Sequence, residues 1–147
     1  MTEFTRILKE LLDEQNTTIR SLSPQIGIPY QELYTYVNDD YFPSIYNAEK
    51  LANYFDCSFD YLFGLSDTFK TSEFKEVDIS KFYPRYLELL QENKISHHHL
   101  YKTLGLSKSG LSKWRNGSVP KIESLLKIAK FFGTHIDYLV GRSDIRY

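Results

Sequence analysis

The stretch FDYLFGLSD at residues 59–67 returns as IDYLVGRSD at residues 136–144. The similarity extends in both directions: a shift of 78 residues aligns the earlier part of the two copies, and a shift of 77 aligns the later part. Of the 60 residue pairs aligned in this way, 20 are identical. The chain therefore contains one structural unit written twice.

The repeat predicts two domains. The alignment changes register by one residue just after Asn38, as loops tolerate easily. A unit of about 65 residues that occurs twice indicates two small domains, because a solenoid needs at least three stacked repeats. We predict a first lobe at residues 1–68, a linker at residues 69–80 and a second lobe at residues 81–147. The linker is rich in apolar residues such as Phe74, so we expect it to pack on one of the lobes, either as a partly ordered tether or as a fixed brace between the lobes.

The composition is typical of a folded chain that is 41% hydrophobic and 25% charged, with 12 Tyr and 10 Phe to fill two small cores. A single cysteine, Cys57, excludes an internal disulfide. We find neither a basic and then apolar leader nor an apolar run of about 18 residues that could span a bilayer. These features predict a cytoplasmic protein with no membrane contact.

The two copies carry opposite charge. Residues 1–69 contain four Lys or Arg and eleven Asp or Glu, a net charge of −7, whereas residues 81–147 contain twelve and five, a net charge of +7. A polyanion attracts the second copy and repels the first. The copies are therefore expected to have different partners.

Helical periodicity dominates the second copy. Apolar residues at three- and four-residue spacing predict a first helix at about 82–93. Ser96 is expected to cap a second helix that ends at Gly105, and Ser107 is expected to cap a third helix. In the third helix, Leu111 and Trp114 are predicted to face inward. The lysines and serines of this helix are therefore expected on its outer side.

Two further helices complete the predicted unit. A fourth follows Pro120, and a fifth starts at Thr134, with Asp137 three residues later in a pattern similar to a capping box. No strand-like alternation of useful length occurs. The predicted fold class is all-α, with five helices in each of two tandem copies.

Residues 96–117, SHHHLYKTLGLSKSGLSKWRNG, followed by Pro120 and by HIDYLVG, resemble the Cro/repressor-type helix-turn-helix domain of bacteria and phages, also called the xenobiotic-response-element family. The first copy resembles the same family but is degenerate at the DNA-contact positions. The resemblance implies two tandem lambda-repressor-like domains, in which the second and third helices form the helix-turn-helix and the third lies in the DNA major groove.

The outer side of the third helix supplies the candidate base contacts. A helix fits the major groove, where lysine favours guanine O6 and N7 and serine can bond several bases. We predict base contacts from the exposed lysines and serines of this segment. They are Ser107, Lys108, Ser109, Ser112 and Lys113.

Candidate phosphate contacts lie at helix N-termini and in the adjacent loop, where backbone binding usually occurs. Carried over from the family by position, they are Ser96, His97, Asn116, Ser118 and Lys121. The family commonly has an acidic residue after the third-helix hydrophobe, paired with a first-helix arginine, but this chain has Arg115 and Leu90. That pair is impossible here, so we add Arg115 to the candidate phosphate contacts.

The first copy has lost every lysine of this surface: Tyr30, Gln31, Tyr34 and Thr35 stand where the second copy has Lys108, Ser109, Ser112 and Lys113. Exposed tyrosines beside acids are common in protein interfaces. We therefore predict a protein interface at Tyr30, Tyr34 and Glu32. The lobe could join two chains into a homodimer, hold a separate protein, or dock on the cationic lobe within or between chains.

Other chemistries are disfavoured. His97, His98 and His99 are consecutive, so on a helix they point about 100° apart and do not converge on one metal ion. No arrangement of nucleophile, base and acid suggests an enzyme, and no cofactor is implied. The sequence predicts a sequence-specific regulator of transcription that binds double-stranded DNA, such as a phage or bacterial repressor. The alternative is a non-catalytic protein-interaction module, similar to an antirepressor or an antitoxin.

Overall fold

The computed structural model describes residues 1–69 and 73–147. The chain divides into two compact units, Met1–Ser72 and Glu73–Tyr147, each of which contains one of the lobes. Within the described residues each unit has five α-helices and no strand, which confirms the predicted all-α fold class.

In the first unit the helices are α1 (Glu3–Glu14), α2 (Ile19–Ile26), α3 (Tyr30–Asn38), α4 (Ile45–Phe55) and α5 (Phe59–Leu62). In the second unit a short 3₁₀ turn (Ile79–Lys81) precedes α6 (Phe82–Glu92), α7 (His97–Leu104), α8 (Gly110–Arg115), α9 (Ile122–Phe132) and α10 (Ile136–Leu139).

The core of each unit is built from one apolar stripe per helix. In the first unit Leu8, Leu22, Leu33, Leu51 and Leu62 are fully buried, one from each of α1 to α5. Burial of a leucine stabilises a fold by about 1.5–3 kcal/mol. This core therefore holds all five helices together.

The second unit repeats this arrangement with larger side chains. Phe82, Tyr86, Leu100, Ile128 and Ile136 are fully buried, and they come from α6, α7, α9 and α10. The two rings of α6 stack with their centroids 5.5 Å apart. The helix that precedes the predicted helix-turn-helix therefore presents an aromatic surface to it.

The fifth helix begins differently from the prediction. It starts at Ile136 with His135 as its cap residue, so Thr134 does not cap it. The Thr134 hydroxyl donates instead to the carbonyl of Arg146 at 2.7 Å, and Asp137 forms an ion pair with Arg142. Tertiary partners have replaced the predicted local capping pair.

Each copy closes with the same hydrogen bond. In the first unit the backbone N–H of Ser58 donates to the carbonyl of Phe69 at 2.9 Å. In the second, the N–H of His135 donates to the carbonyl of Arg146 at 3.0 Å. Both pairs are related by the 77-residue shift, so the structural repeat continues two residues beyond the sequence motif.

The segment at residues 73–79 packs on the second lobe. The N–H of Lys75 donates to the carbonyl of Arg142, and the N–H of Asp78 donates to the carbonyl of Val140, both at 2.8 Å. The Arg142 guanidinium lies 4.3 Å from the centre of the Phe74 ring. This part of the predicted linker therefore belongs to the second compact unit.

Candidate nucleic-acid interface

Helix α7 is fixed at both ends as the sequence predicts. The hydroxyl of Ser96 accepts a hydrogen bond from the N–H of His99 at 3.1 Å, which satisfies one of the free donors of the first turn. Gly105 ends the helix in the left-handed conformation. Between these ends Leu100 is fully buried and holds the helix to the core.

Helix α8 is held to the rest of the second lobe by Trp114. Its ring meets those of Phe82, Tyr86 and His97 edge to face, with centroids 5.2–5.5 Å apart. Such aromatic pairs contribute about 0.5–1.5 kcal/mol each beyond their buried area. Since the partner rings belong to α6 and α7, one side chain joins three helices.

The predicted base-contact residues are all exposed, but they do not all lie on a helix. Lys108 and Ser109 form a turn, and α8 begins only at Gly110, so Ser107 does not cap it. The Ser107 hydroxyl lies 3.0 Å from that of Ser109. Gly110 has low helix propensity and costs about 1 kcal/mol relative to alanine. Gly110 is nevertheless the first helical residue, and a Cβ at this position would lie 3.0 Å from the Trp114 ring.

The remaining base candidates, Ser112 and Lys113, are exposed on α8 itself. Leu111, which was predicted to face inward beside Trp114, is only half-buried. The candidate base-contact surface thus consists of two adjacent pieces, an exposed turn and the outer face of a short helix.

The candidate phosphate contacts lie at the start of α7 and around the loop after α8. Asn116 ends α8 and Lys121 is the cap residue of α9, with Ser118 between them, and all three are exposed. Ser96 is also exposed. These four side chains are therefore accessible to a DNA phosphate approaching from solvent.

His97 is the exception among these candidates. Its side chain is half-buried, with Nδ1 2.7 Å from the Tyr86 hydroxyl, and Nε2 is buried without a hydrogen-bond partner among the described residues. Burial, with a smaller contribution from His98, lowers the pKa of His97 below its ordinary value. The imidazole packs in the aromatic core, so a phosphate contact at this position would use the backbone N–H.

Three of the five acidic residues at residues 81–147 form ion pairs with arginines. Asp137 pairs with Arg142, Glu92 with Arg146, and Asp144 with Arg85. In contrast, Lys108, Lys113 and Lys121 form no ion pair with any described residue. These three lysines therefore carry positive charge that no carboxylate among the described residues compensates directly.

Arg115 has a partner that the sequence analysis missed. Its Nε donates to the hydroxyl of Tyr83, in the first turn of α6, at 3.1 Å. The internal alignment carried a signal for this pair, because Tyr83 and Arg115 replace the small or apolar residues Thr5 and Val37 of the first copy.

A family model for helix-turn-helix domains matches the chain twice, at residues 8–62 and at residues 87–139. The two matches together cover more than half of the sequence and fall one in each compact unit. The chain belongs to the Cro/C1-type helix-turn-helix family. This is a family of DNA-binding domains that are generally not enzymes. Comparisons with curated proteins and with solved structures give no match.

The helix-turn-helix of the first lobe presents a different surface. At its third helix Tyr34 is 43% exposed, and the Tyr30 ring lies 4.8 Å from the guanidinium of Arg20. The Glu32 carboxylate accepts a hydrogen bond from the Asn47 side chain at 2.7 Å. Tyr30 and Glu32 therefore each contact a neighbouring side chain, and Tyr34 is partly exposed.

The third helix of this first helix-turn-helix is also longer than its counterpart. It begins directly after Pro29, whose restricted φ suits a helix start, and it has Glu32 where the second lobe has Gly110.

Tyr36 occupies the place of Trp114 and is 4% exposed. Burial raises the pKa of the Tyr36 hydroxyl. Both copies therefore anchor the third helix through one buried aromatic ring.

Residues 1–69 and 73–147 contain no group of three or more His, Cys, Asp or Glu side chains arranged to hold a metal ion. Over the same ranges, the helices are too short or too polar for any of them to cross a bilayer.

Proposed function

We propose that this protein is a sequence-specific regulator of transcription whose second lobe reads double-stranded DNA. One observation carries the proposal: α8 is anchored from within by Trp114, and Lys113 on its outer side and Lys108 in the preceding turn form no ion pair with any described residue. Lysine and serine side chains at that position can reach base edges in the major groove. Each good base contact contributes roughly 1–3 kcal/mol of discrimination.

In this proposal the exposed turn and α8 read the bases, and the surrounding groups fix the register. Base contacts come from Ser107, Lys108, Ser109, Ser112 and Lys113. Phosphate contacts come from Ser96, His97, Arg115, Asn116, Ser118 and Lys121. The late start of α8 supports a role for Lys108 and Ser109 in which they contact DNA from a turn.

The test begins with selection of binding sites from random duplexes, followed by gel-shift titration at several salt concentrations. Binding should weaken steeply as salt rises, because contacts to phosphate release counterions. Lys108→Ala and Lys113→Ala should reduce the preference for the selected site over a scrambled one. Lys121→Ala should instead weaken both sites and lower the salt slope by about 1.

The matched control is Lys130→Ala, which removes one exposed lysine from the last turn of α9, outside the proposed surface. This variant should bind like the wild type. If the variant lacking Lys108, Lys113 and Lys121 occupies its site as firmly as the wild type, the second lobe does not read DNA in the proposed way.

For the first lobe we propose a protein-binding role in assembly or control. The net charge of −7 on residues 1–69 opposes phosphate contact, and Tyr34 is 43% exposed on the third helix of this acidic lobe. Sedimentation of the wild type and of Tyr34→Ala tests the simplest case, a homodimer. Loss of the dimer in Tyr34→Ala, with Tyr46→Ala as an exposed control on α4, would support it.

A second candidate function is a non-catalytic protein-interaction module that works without DNA, and the acidic, tyrosine-bearing first lobe is the observation that favours it. Failure to select any duplex, together with a stable protein partner that Tyr34→Ala releases, would support this candidate over the regulator.

A further inference from the structure

The pairing of Arg115 with Tyr83 gives the second lobe a group that its sister lobe lacks. Arg115 is the last residue of α8 and is exposed, and Tyr83 lies in the first turn of α6 and is half-buried. The Arg115 Nε donates to the Tyr83 hydroxyl at 3.1 Å. The pair therefore joins the end of the reading helix to the start of the helix behind it.

The hydrogen bond leaves the outer edge of the guanidinium available. A guanidinium carries five N–H donors in a planar fork, and Tyr83 takes the one on Nε. Nη1 and Nη2 of Arg115 form no hydrogen bond with any described residue. These two nitrogens are the ones that can bond both oxygens of a phosphate at once.

The aligned positions of the first lobe contain nothing similar. Thr5 is buried, with its hydroxyl donating to the carbonyl of Tyr36 at 2.7 Å, and Val37 is buried as well. Only the cationic second copy has a hydroxyl acceptor and an exposed arginine at these two positions. This difference between the copies accompanies the presence of lysines on the third-helix surface of the second lobe and their absence from the first.

We propose that Tyr83 is a positioning residue that orients Arg115 so that its free nitrogens clamp a DNA phosphate beside α8. The inference rests on the proposed function, since it assumes that the second lobe binds duplex DNA. Tyr83 itself touches no DNA in this arrangement. Because a phosphate contact carries no sequence information, the pair adds affinity equally to the correct and to the scrambled site.

The test uses the full chain and the duplex obtained by selection. Tyr83→Phe keeps the ring and removes only the acceptor, so affinity should fall roughly 3- to 10-fold, the range expected for one hydrogen bond. The loss should be equal for selected and scrambled duplexes. The salt slope should stay unchanged in Tyr83→Phe, because no charge is lost, and should fall by about 1 in Arg115→Ala.

Arg115→Lys separates orientation from charge. Lysine keeps the charge but offers no fork and no Nε for Tyr83, so this variant should lose about as much affinity as Tyr83→Phe, with the salt slope retained. Combining Tyr83→Phe with Arg115→Lys should then cause no further loss. Tyr101→Phe is the matched control, because its hydroxyl faces only the exposed His98, and it should bind normally.

Several outcomes would overturn the inference. Normal binding by Tyr83→Phe would show that Arg115 needs no positioning, and normal binding by Arg115→Ala would show that it contacts no phosphate. Additive losses in the double variant would mean that Tyr83 touches DNA independently. If the wild type binds no duplex at all, the proposed function itself fails. If the wild type binds and Tyr83→Phe binds equally well, only the positioning role of Tyr83 fails.

Discussion

Asp137 and Arg142 form an ion pair inside the second lobe, with 2.7 Å between Oδ1 and Nη1, and their side chains are 4% and 1% exposed. The first copy has leucine at the position of the arginine. The second lobe has therefore acquired a buried cation, which the ring of Phe74 covers on one side.

Loss of the carboxylate should destabilise the second lobe strongly. In Asp137→Asn the guanidinium stays buried without a counter-charge, and breaking a buried pair in this way costs about 3–5 kcal/mol of unfolding free energy. Urea unfolding followed by the fluorescence of Trp114, the single tryptophan, reports on this lobe alone. The exposed residue Glu88 provides the control Glu88→Gln, and a similar small change in both variants would contradict the prediction.

The stability of the second lobe should also fall in mild acid because of His97. Burial lowers its pKa below the ordinary value of 6.5, so the unfolded chain takes up a proton before the folded one does. The contribution is fully present above about pH 6.5 and is lost as the pH falls toward the folded-state pKa. Urea midpoints measured between about pH 8 and pH 5 should show the decline in the wild type.

His97→Asn should reduce this dependence, whereas His99→Asn should retain it, because the side chain of His99 is exposed. The groups near the imidazole are the hydroxyl of Tyr86 and the rings of Tyr101, Trp114 and His98. An equally steep decline in His97→Asn and in the wild type would assign the acid sensitivity to another group.

A second acid transition is expected from Asp144. Hydrogen bonds from Lys75 and Arg85 lower its pKa from 3.8 to about 2. Because the folded-state pKa is depressed, the carboxylate stabilises the lobe above the unfolded value, and this contribution is lost as the pH falls from about 4 to about 2. Asp144→Asn should flatten the stability profile in that window and leave the His97 region unchanged. Added salt should weaken the effect, because the pair is exposed.

Gly141 provides a test of how firmly residues 73–79 pack. It has a φ of +76°, and a Cβ built there would lie 2.9 Å from the Asp78 carbonyl oxygen. Gly141→Ala should therefore combine left-handed strain of about 1–2 kcal/mol with displacement of the segment. Gly133→Ala, at φ +65° with no atom within 4 Å of the added Cβ, should show the strain alone. Equal losses in Trp114-monitored unfolding would show that the segment moves aside freely.

Local patterns predicted the features that local forces determine. Ser96 and Gly105 delimit α7 as expected, because an oxygen cap and a residue free of Cβ strain act within one turn. Trp114 is buried as its spacing indicates. The predictions fail where groups beyond the first helical turn compete for a capping residue: Thr134 bonds Arg146, twelve residues later, and Asp137 pairs with Arg142, five residues later.

The sequence predicted only part of the candidate site. The lysines of the candidate base-contact surface are exposed, as their positions on the outer side suggest, but α8 begins at Gly110 and not directly after Ser107, as that cap-like serine had indicated. Tyr83 and Arg115 are 32 residues apart, and no short-range pattern connects them. The comparison of the two copies was the one signal that marked both residues.

The closure of each unit on its own terminal residues has a practical consequence. Phe69 accepts the hydrogen bond that completes the first unit, whereas Lys75 and Asp78 already bond to the second. A fragment of residues 1–69 and a fragment of residues 73–147 would therefore each contain both partners of the backbone hydrogen bonds that close its own lobe.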